Sequence, residues 1–490
     1  MSTLPTTTTN PHHARRWWIL ALLGIAQLMV VLDATIVNIA LPSAQKALHF
    51  GDADRQWIVT AYALAFGSLL LLGGRLGDYF GRKRVFIVGL LGFAGASAIG
   101  GTAQSFEVLV AARALQGAFG ALLAPAALAL LTTTFTNPSE RGKAFGVYGA
   151  IAGGGGALGL LLGGVLTEYA SWRWCLYVNL LFAIPAAIAG VRLLHTQVAA
   201  SKPKLDIPGT LTASLVLFAL VYGFSNAQTH GWGSGLTLGF LAAAAVLLAL
   251  FVAIESRVAH PLLPLRVVLD RGRGGAYTAV AIVGAGMFGV FLFLTYYLQQ
   301  TLGFSPILTG LAFLPMMATV MATATTTTSL VLPRTGPRPL VTTGMLLASG
   351  AMILLTQIGV DSSYATHVLP ALLLMGVGLG LTMAPAMATA TLGVGPGDAG
   401  VASAMVNTSQ QVGGSVGTAL LSTLAASATA SFAAARHPSP DVLAQAAVHG
   451  YTTAFWWSAT IFAAGAVISA LLLRSGVPEI DPAAEPVLAH

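Results

Sequence analysis

Long apolar runs, broken by short polar or Pro/Gly-rich joints, repeat along the whole chain. A helix needs about 20 apolar residues to cross a bilayer core. Runs of that length predict fourteen helices, near 17–41, 56–74, 85–103, 108–131, 144–167, 175–194, 207–225, 234–254, 275–298, 306–331, 340–360, 368–393, 399–425 and 450–473. Typical joints are Asn137-Pro138-Ser139-Glu140 and Pro333-Arg334-Thr335-Gly336-Pro337. An even number of crossings puts both termini on one side.

The count suggests six helices, an inserted pair, and six more. A weak internal echo agrees with this. Gly81-Arg82-Lys83-Arg84-Val85 follows the second helix, with Gly89 eight residues after Gly81; Gly336-Pro337-Arg338-Pro339-Leu340 follows the tenth, with Gly344 at the same offset. The expected division is a disordered tail over 1–14, a six-helix bundle over 15–196, a linker and two extra helices over 197–260, a second six-helix bundle over 261–474, and a tail over 475–490. The expected fold class is thus an all-α polytopic membrane protein. Repeated six-helix halves suit a transporter that rocks around a site near the membrane midplane.

Composition removes the competing classes. The 490 residues are 56% apolar and 8% charged, where soluble domains carry about 25% charged residues. A soluble enzyme and a disordered chain are both excluded. Cys175 is the single cysteine, so neither an intrachain disulfide nor a cysteine metal cluster is possible. His12-His13 reads as part of the tail, and no metal site is expected. The net charge of +7 raises nucleic acid as a partner. With the N-terminus inside, however, the outer joints hold only Lys46, Arg55, Arg173 and Arg436; Arg113 lies in a span, and the other Lys and Arg residues are spread over the inner segments. That is the positive-inside pattern. It predicts a cytoplasmic membrane protein with both termini in the cytoplasm and no nucleic-acid partner.

Two catalytic-looking strings lack their context. Gly154 to Gly159 fits G-x-G-x-x-G without a preceding strand. Gly413 to Gly417 fits a nucleophile elbow but lies within a predicted membrane helix. Gly142-Lys143 is followed by Ala144, so there is no nucleotide-binding P-loop. No enzyme activity and no cofactor are expected.

Buried charge is the informative chemistry. Asp33 is the one acid deep in a span and Arg113 the one deep base. A charge there costs about 2.5–3.5 kcal/mol on insertion scales, so each needs a compensating role. Asp33 lies nine residues before Pro42, taken as the outer end of the first helix, and Arg113 six after Glu107. At 1.5 Å per residue these depths are roughly 13 and 9 Å. The two can share a layer as a structural ion pair or as a proton-responsive site. Burial disfavours a charged carboxylate and a guanidinium favours it, so moving the Arg would switch protonation. Gln27, Asn38, Tyr62 and Gln116 are polar groups at similar depth and candidates for lining a substrate cavity. Met316 and Met317, with Met321, Met383 and Met387, are candidates for an adaptable apolar pocket. Thr325 to Thr328 are expected to bond back to their own helix.

The segment Gly74-Arg75-Leu76-Gly77-Asp78-Tyr79-Phe80-Gly81-Arg82-Lys83-Arg84 resembles the signature loop of the major facilitator superfamily. Leu32-Asp33 through Leu41-Pro42, Arg113 through Gly117, Trp172-Arg173-Trp174 through Asn179, and Asn407 through Gly414 resemble further motifs of its fourteen-helix drug:proton antiporters. The resemblance runs from about Trp17 to Arg474. It departs in helix 5, where Leu160 stands in the place of the antiporter proline. Gly155, Gly159, Gly163 and Gly164 still supply a small-residue packing face.

The resemblance implies proton-coupled efflux of lipophilic small molecules or drugs by alternating access, as a monomer, with protons and membrane lipid as the other partners. Asp33 would carry the proton and Arg113 modulate it. Asp78 would latch the inner gate, against the start of helix 13 near Ala399, with Arg82 bracing a loop whose Gly74 and Gly81 belong to the gate. A dedicated exporter of one biosynthetic product, a proton-coupled importer and a non-transporting receptor are the alternatives.

Overall fold

A computed structural model describes residues 15–51, 54–135, 138–194, 206–258, 261, 263, 265–391, 399–437 and 439–476. The expected tails over 1–14 and 477–490 lie outside the described residues. The chain forms two compact units, Met1–Ser214 and Leu215–His490.

The first unit holds α1 (Arg16–Leu48), α2 (Gln56–Phe80), α3 (Arg82–Thr102), α4 (Phe106–Thr134), α5 (Pro138–Tyr169) and α6 (Trp174–Leu193). The unit boundary falls within α7 (Ile207–His230). The second unit continues with α8 (Gly235–Glu255), the short α9 (Leu265–Val268), α10 (Arg271–Tyr296), α11 (Pro306–Thr326), the short α12 (Leu332–Thr335), α13 (Pro337–Leu355), α14 (Leu369–Thr391), α15 (Ala399–Ala434) and α16 (Pro440–Leu472). Single π-helical turns extend α10 and α11 and open α14. Among the described residues there is no strand.

Among the described residues, twelve helices are long and apolar enough to cross a membrane, where hydropathy along the sequence predicts fourteen. The two remaining expected spans, near 56–74 and 144–167, fall on α2 (Gln56–Phe80) and α5 (Pro138–Tyr169).

The two units use the same helix pairings. In the first, α1 packs on α4, α5 and α6; α4 packs on α2 and α3; and α3 packs on α6. In the second, α10 packs on α14, α15 and α16; α14 packs on α11 and α13; and α13 packs on α16. The echoed glycines have matching places. Gly81 and Gly336 turn the chain at φ +95° and +74°, a region that costs an L side chain about 1–2 kcal/mol. Gly89 faces Leu123 of α4, and Gly344 faces Gly378 and Thr382 of α14.

One expected boundary needs correction. Pro42 does not end α1; the helix runs on to Leu48, where His49 takes a left-handed φ of 54°. Proline removes one backbone donor, and a buried helix absorbs that loss where neighbours resatisfy the carbonyl. Asp33 is therefore about 22 Å from the helix end at 1.5 Å per residue, farther than Pro42 implied.

Side chains close several helix ends. Arg173 donates to Gly101 O at 3.0 Å and to Ala103 O at the end of α3. Lys83 donates to Val191 O at 2.8 Å and to Leu194 O at the end of α6. Each supplies positive charge where a helix exposes orphan carbonyls. The α7–α8 hairpin is held by the rings of Phe218, Tyr222 and Phe240 and by Asn226 donating to Thr237 at 2.9 Å.

A buried charge network as candidate functional site

Asp33 on α1 and Arg113 on α4 meet inside the first unit. Arg113 Nη1 lies 2.6 Å from Asp33 Oδ2, and the two side chains are 2% and 0% exposed. They meet although Asp33 lies farther from its helix end than Pro42 implied. The sequence layer therefore forms, on a longer helix than its proline suggested.

The pair is one part of a larger network. Gln116 Nε2 donates to Asp33 Oδ1 at 3.0 Å, and Asn179 Nδ2 of α6 donates to the same oxygen at 2.7 Å. The Asp33 carboxylate thus accepts from three N–H donors on two helices. Arg113 Nη1 also donates to Gln116 Oε1 at 2.7 Å, and Nε donates to Ile58 O of α2 at 3.2 Å. Its guanidinium carbon lies 4.5 Å from the centre of the Tyr62 ring, a cation–π position. Ser97 of α3 accepts from Gln116 Nε2 at 2.7 Å and from Asn179 Nδ2 at 3.3 Å. Five helices therefore meet at one charge pair.

The energetics explain the density of contacts. Removing two ions from water costs several kcal/mol each, and their attraction repays that only when the remaining polar positions are also filled. Here an amide oxygen, a main-chain carbonyl and an aromatic face fill positions around the guanidinium. Two amide donors fill those around the carboxylate. A cavity of about 10 Å³ borders Arg113, walled by apolar groups including Val37, Ala40 and Leu176. It has the room one water needs.

The other candidate residues lie in varied settings. Gln27 accepts from Tyr148 Oη at 2.7 Å and is half-buried. Asn38 is buried and donates to Ala34 O of its own helix at 3.1 Å. Met316 is buried at the α11–α14 contact, where its carbonyl faces Gly376; Met317 is half-buried, and Met321 and Met387 are exposed. Thr325, Thr326 and Thr328 bond back to carbonyls four residues earlier.

Gly155, Gly159 and Gly163 face α1 at Val31, Thr35 and Ile36, and Gly164 is buried. Leu160 is fully buried beside them. Gly74 faces Pro125, Arg82 opens α3, and Asp78 lies in α2 with its side chain outside the described residues. Among the described residues no cluster of His, Cys, Asp and Glu fits a metal ion.

The sequence model of the Major Facilitator Superfamily matches residues 23–418. The chain belongs to the major facilitator superfamily. Its relatives in that superfamily include the puromycin resistance protein of Streptomyces alboniger, 50% identical over 470 residues, which cover 95% of this chain and 93% of the relative. The cephamycin export protein of Amycolatopsis lactamdurans is 38% identical, over 84% of this chain and 85% of its own. The tetracenomycin C resistance and export protein of Streptomyces glaucescens is 36% identical, over 84% and 76%. Among solved structures, an auto-inhibited peptide transporter of the POT family aligns with a TM-score of 0.68 at 16% identity, covering 94% of this chain and 96% of its own. That likeness concerns the fold.

Sequence reasoning found Asp33, Arg113, Gln116 and Tyr62 but assigned the last two to substrate. Asn179 was visible only as part of a motif. Ser97 carries no signal of its own, since a serine in a Gly/Ala-rich membrane helix is ordinary.

Proposed function

We propose that this superfamily member exports an antibiotic-type small molecule across the cytoplasmic membrane, both termini inside, in exchange for protons taken up at Asp33. The observation that carries the reading is the Asp33–Arg113 pair, fully buried and ringed by donors, in a chain whose relatives are named for antibiotic resistance and export. A carboxylate held this way changes charge only when its environment rearranges. That requirement links protonation to a conformational step. The reading includes fourteen crossings and an inner gate latched by Asp78 and Arg82.

The relatives favour the dedicated-exporter form of this reading, because each of the three is named for a single compound. Puromycin is the first compound to test, given the 50% identity over nearly the whole chain. Expression in a host lacking its own exporters is expected to raise puromycin tolerance above that of the empty vector. Vesicles are expected to move the drug only under an imposed pH gradient. No flux of any of the three compound classes would overturn export.

Asp78 gives a separate expectation. Asp78→Asn leaves the protein inserted and shifts it towards the inward-facing state. Single cysteines placed at the two ends of the helices on a Cys175→Ser background report this as faster labelling inside and slower labelling outside. Unchanged labelling at both ends would remove the gate.

A further inference from the structure

Every group the structure places against the Asp33 carboxylate is a donor: Arg113 Nη1 at 2.6 Å, Asn179 Nδ2 at 2.7 Å and Gln116 Nε2 at 3.0 Å. This suits the ionised acid, which only accepts. It does not suit the protonated acid, whose O–H must donate. A proton added to Oδ2 faces Arg113, and one added to Oδ1 faces two amide N–H groups. Among the described residues, the other titratable groups acting on Asp33 are the Tyr62 hydroxyl from α2 and the Cys175 thiol from α6. Neither hydrogen-bonds to it: the Tyr62 hydroxyl has no partner, and the Cys175 thiol lies against Thr167 Oγ1 and Gly163 O. A buried donor left without an acceptor costs about 1–3 kcal/mol, so the protonated state needs a neighbour that turns from donor to acceptor.

Two neighbours are amides and can do so by rotating. Gln116 is already committed at both ends. Its Oε1 accepts from Arg113 at 2.7 Å, and its Nε2 donates to Ser97 at 2.7 Å as well as to Asp33. Turning it breaks three bonds. Asn179 is different. It is fully buried, its Nδ2 makes the 2.7 Å bond to Asp33 and a longer 3.3 Å bond to Ser97, and its Oδ1 is buried with no hydrogen-bond partner. Buried acceptors without a partner are rare and call for an explanation.

We propose that Asn179 is a two-state positioning residue for the coupling carboxylate, whose side-chain amide donates to Asp33 when the acid is ionised and turns over to accept the Asp33 O–H when it is protonated. The flip exchanges Nδ2 for Oδ1 at the carboxyl, sacrifices the 3.3 Å bond to Ser97, and leaves Gln116 in place. The added proton resides on Asp33 and no covalent bond to Asn179 forms. α6 thereby senses the charge of α1 directly, independently of the motion of Arg113. The inference rests on the reading of Asp33 as the proton site.

Infrared difference spectroscopy of the full chain in lipid, recorded between high and low pH, tests it. The wild type is expected to show a protonated-carboxyl C=O band that disappears in Asp33→Asn. In Asn179→Leu, which keeps the volume and removes the acceptor, that band is expected to move upward, toward an acid with no acceptor. Efflux driven by the pH gradient is expected to fall about tenfold, the worth of one buried hydrogen bond. If the leucine variant does not insert, Asn179→Ser is measured instead, and its shorter hydroxyl is expected to give a shift in the same direction. A band assigned to Asp33 that keeps its position in the substituted protein would show that Asn179 only packs α6 and would overturn the proposal. A spectrum with no Asp33-dependent band would instead remove the coupling reading beneath it.

Discussion

Asp33→Asn abolishes efflux driven by a pH gradient while the protein still reaches the membrane. The substitution keeps the shape of the side chain and an oxygen that accepts from Arg113, but it turns an NH2 towards the Gln116 and Asn179 N–H donors. What it removes is the negative charge and the titration. Arg113, 2% exposed, is then a buried cation without its counter-ion. Breaking such a pair from one side costs about 3–5 kcal/mol. The variant is expected to melt well below the wild type in detergent. A second substitution separates the two effects. Asp33→Asn combined with Arg113→Gln removes both charges, and is expected to recover most of the lost stability without recovering transport. The measurements are thermal melting and drug efflux from vesicles with an imposed pH gradient. Full gradient-driven efflux by the single variant would show that the proton is carried elsewhere. Transport recovered along with stability in the double variant would show the pair to be architectural.

Gly413→Ala is expected to be comparably severe for a reason unrelated to charge. α10 and α15 approach so closely that a Cβ at position 413 would lie 1.9 Å from the carbonyl oxygen of Ala281. The obstacle is main chain, which no rotamer change moves aside, so the helices must separate. The same contact continues at Gly284 against Gln410 O and at Gly417 against Ala285. Separation there loosens several turns at once. Overpacking typically costs 1–3 kcal/mol, and more where the backbone must shift; about 3 kcal/mol or more is expected here. Gly95→Ala in α3 is the matched control, because nothing lies within 4 Å of its added Cβ. It is expected to be neutral or slightly stabilising, since alanine outranks glycine in a helix by up to about 1 kcal/mol. Equal melting temperatures for Gly413→Ala and wild type would mean that the α10–α15 contact is looser than this geometry.

Both expectations touch features that were unequally legible in the sequence. Asp33 and Arg113 are conspicuous because a charge deep in an apolar run is expensive and therefore uncommon. Their partners are inconspicuous for the opposite reason. Ser97 and Asn179 are small polar residues of a kind that membrane helices carry at low cost, and their meeting depends on how α3 and α6 rotate about their axes. The glycine contacts stand between these cases. The four-residue spacing of Gly155, Gly159 and Gly163 marks a packing face, yet nothing in it says that α1 is the helix they meet.

By itself the sequence determined that this is a helical membrane protein, which charges lie deep, and where the chain turns. These properties follow from transfer of each residue between water and lipid and from local backbone sterics, and both are read one segment at a time. The tertiary structure decided the rest. It carried α1 past Pro42 to Leu48, because a proline costs a helix one hydrogen bond without ending it where neighbours make up the loss. It paired α1 with α4 and α5, and α10 with α14 and α15, because close approach depends on two helix faces together. It also turned one acid and one base into a network of five helices. Hydrogen bonds of 2.6–3.0 Å on the Asp33 carboxylate demand positions and directions in three dimensions, and a linear pattern of polar and apolar residues specifies neither.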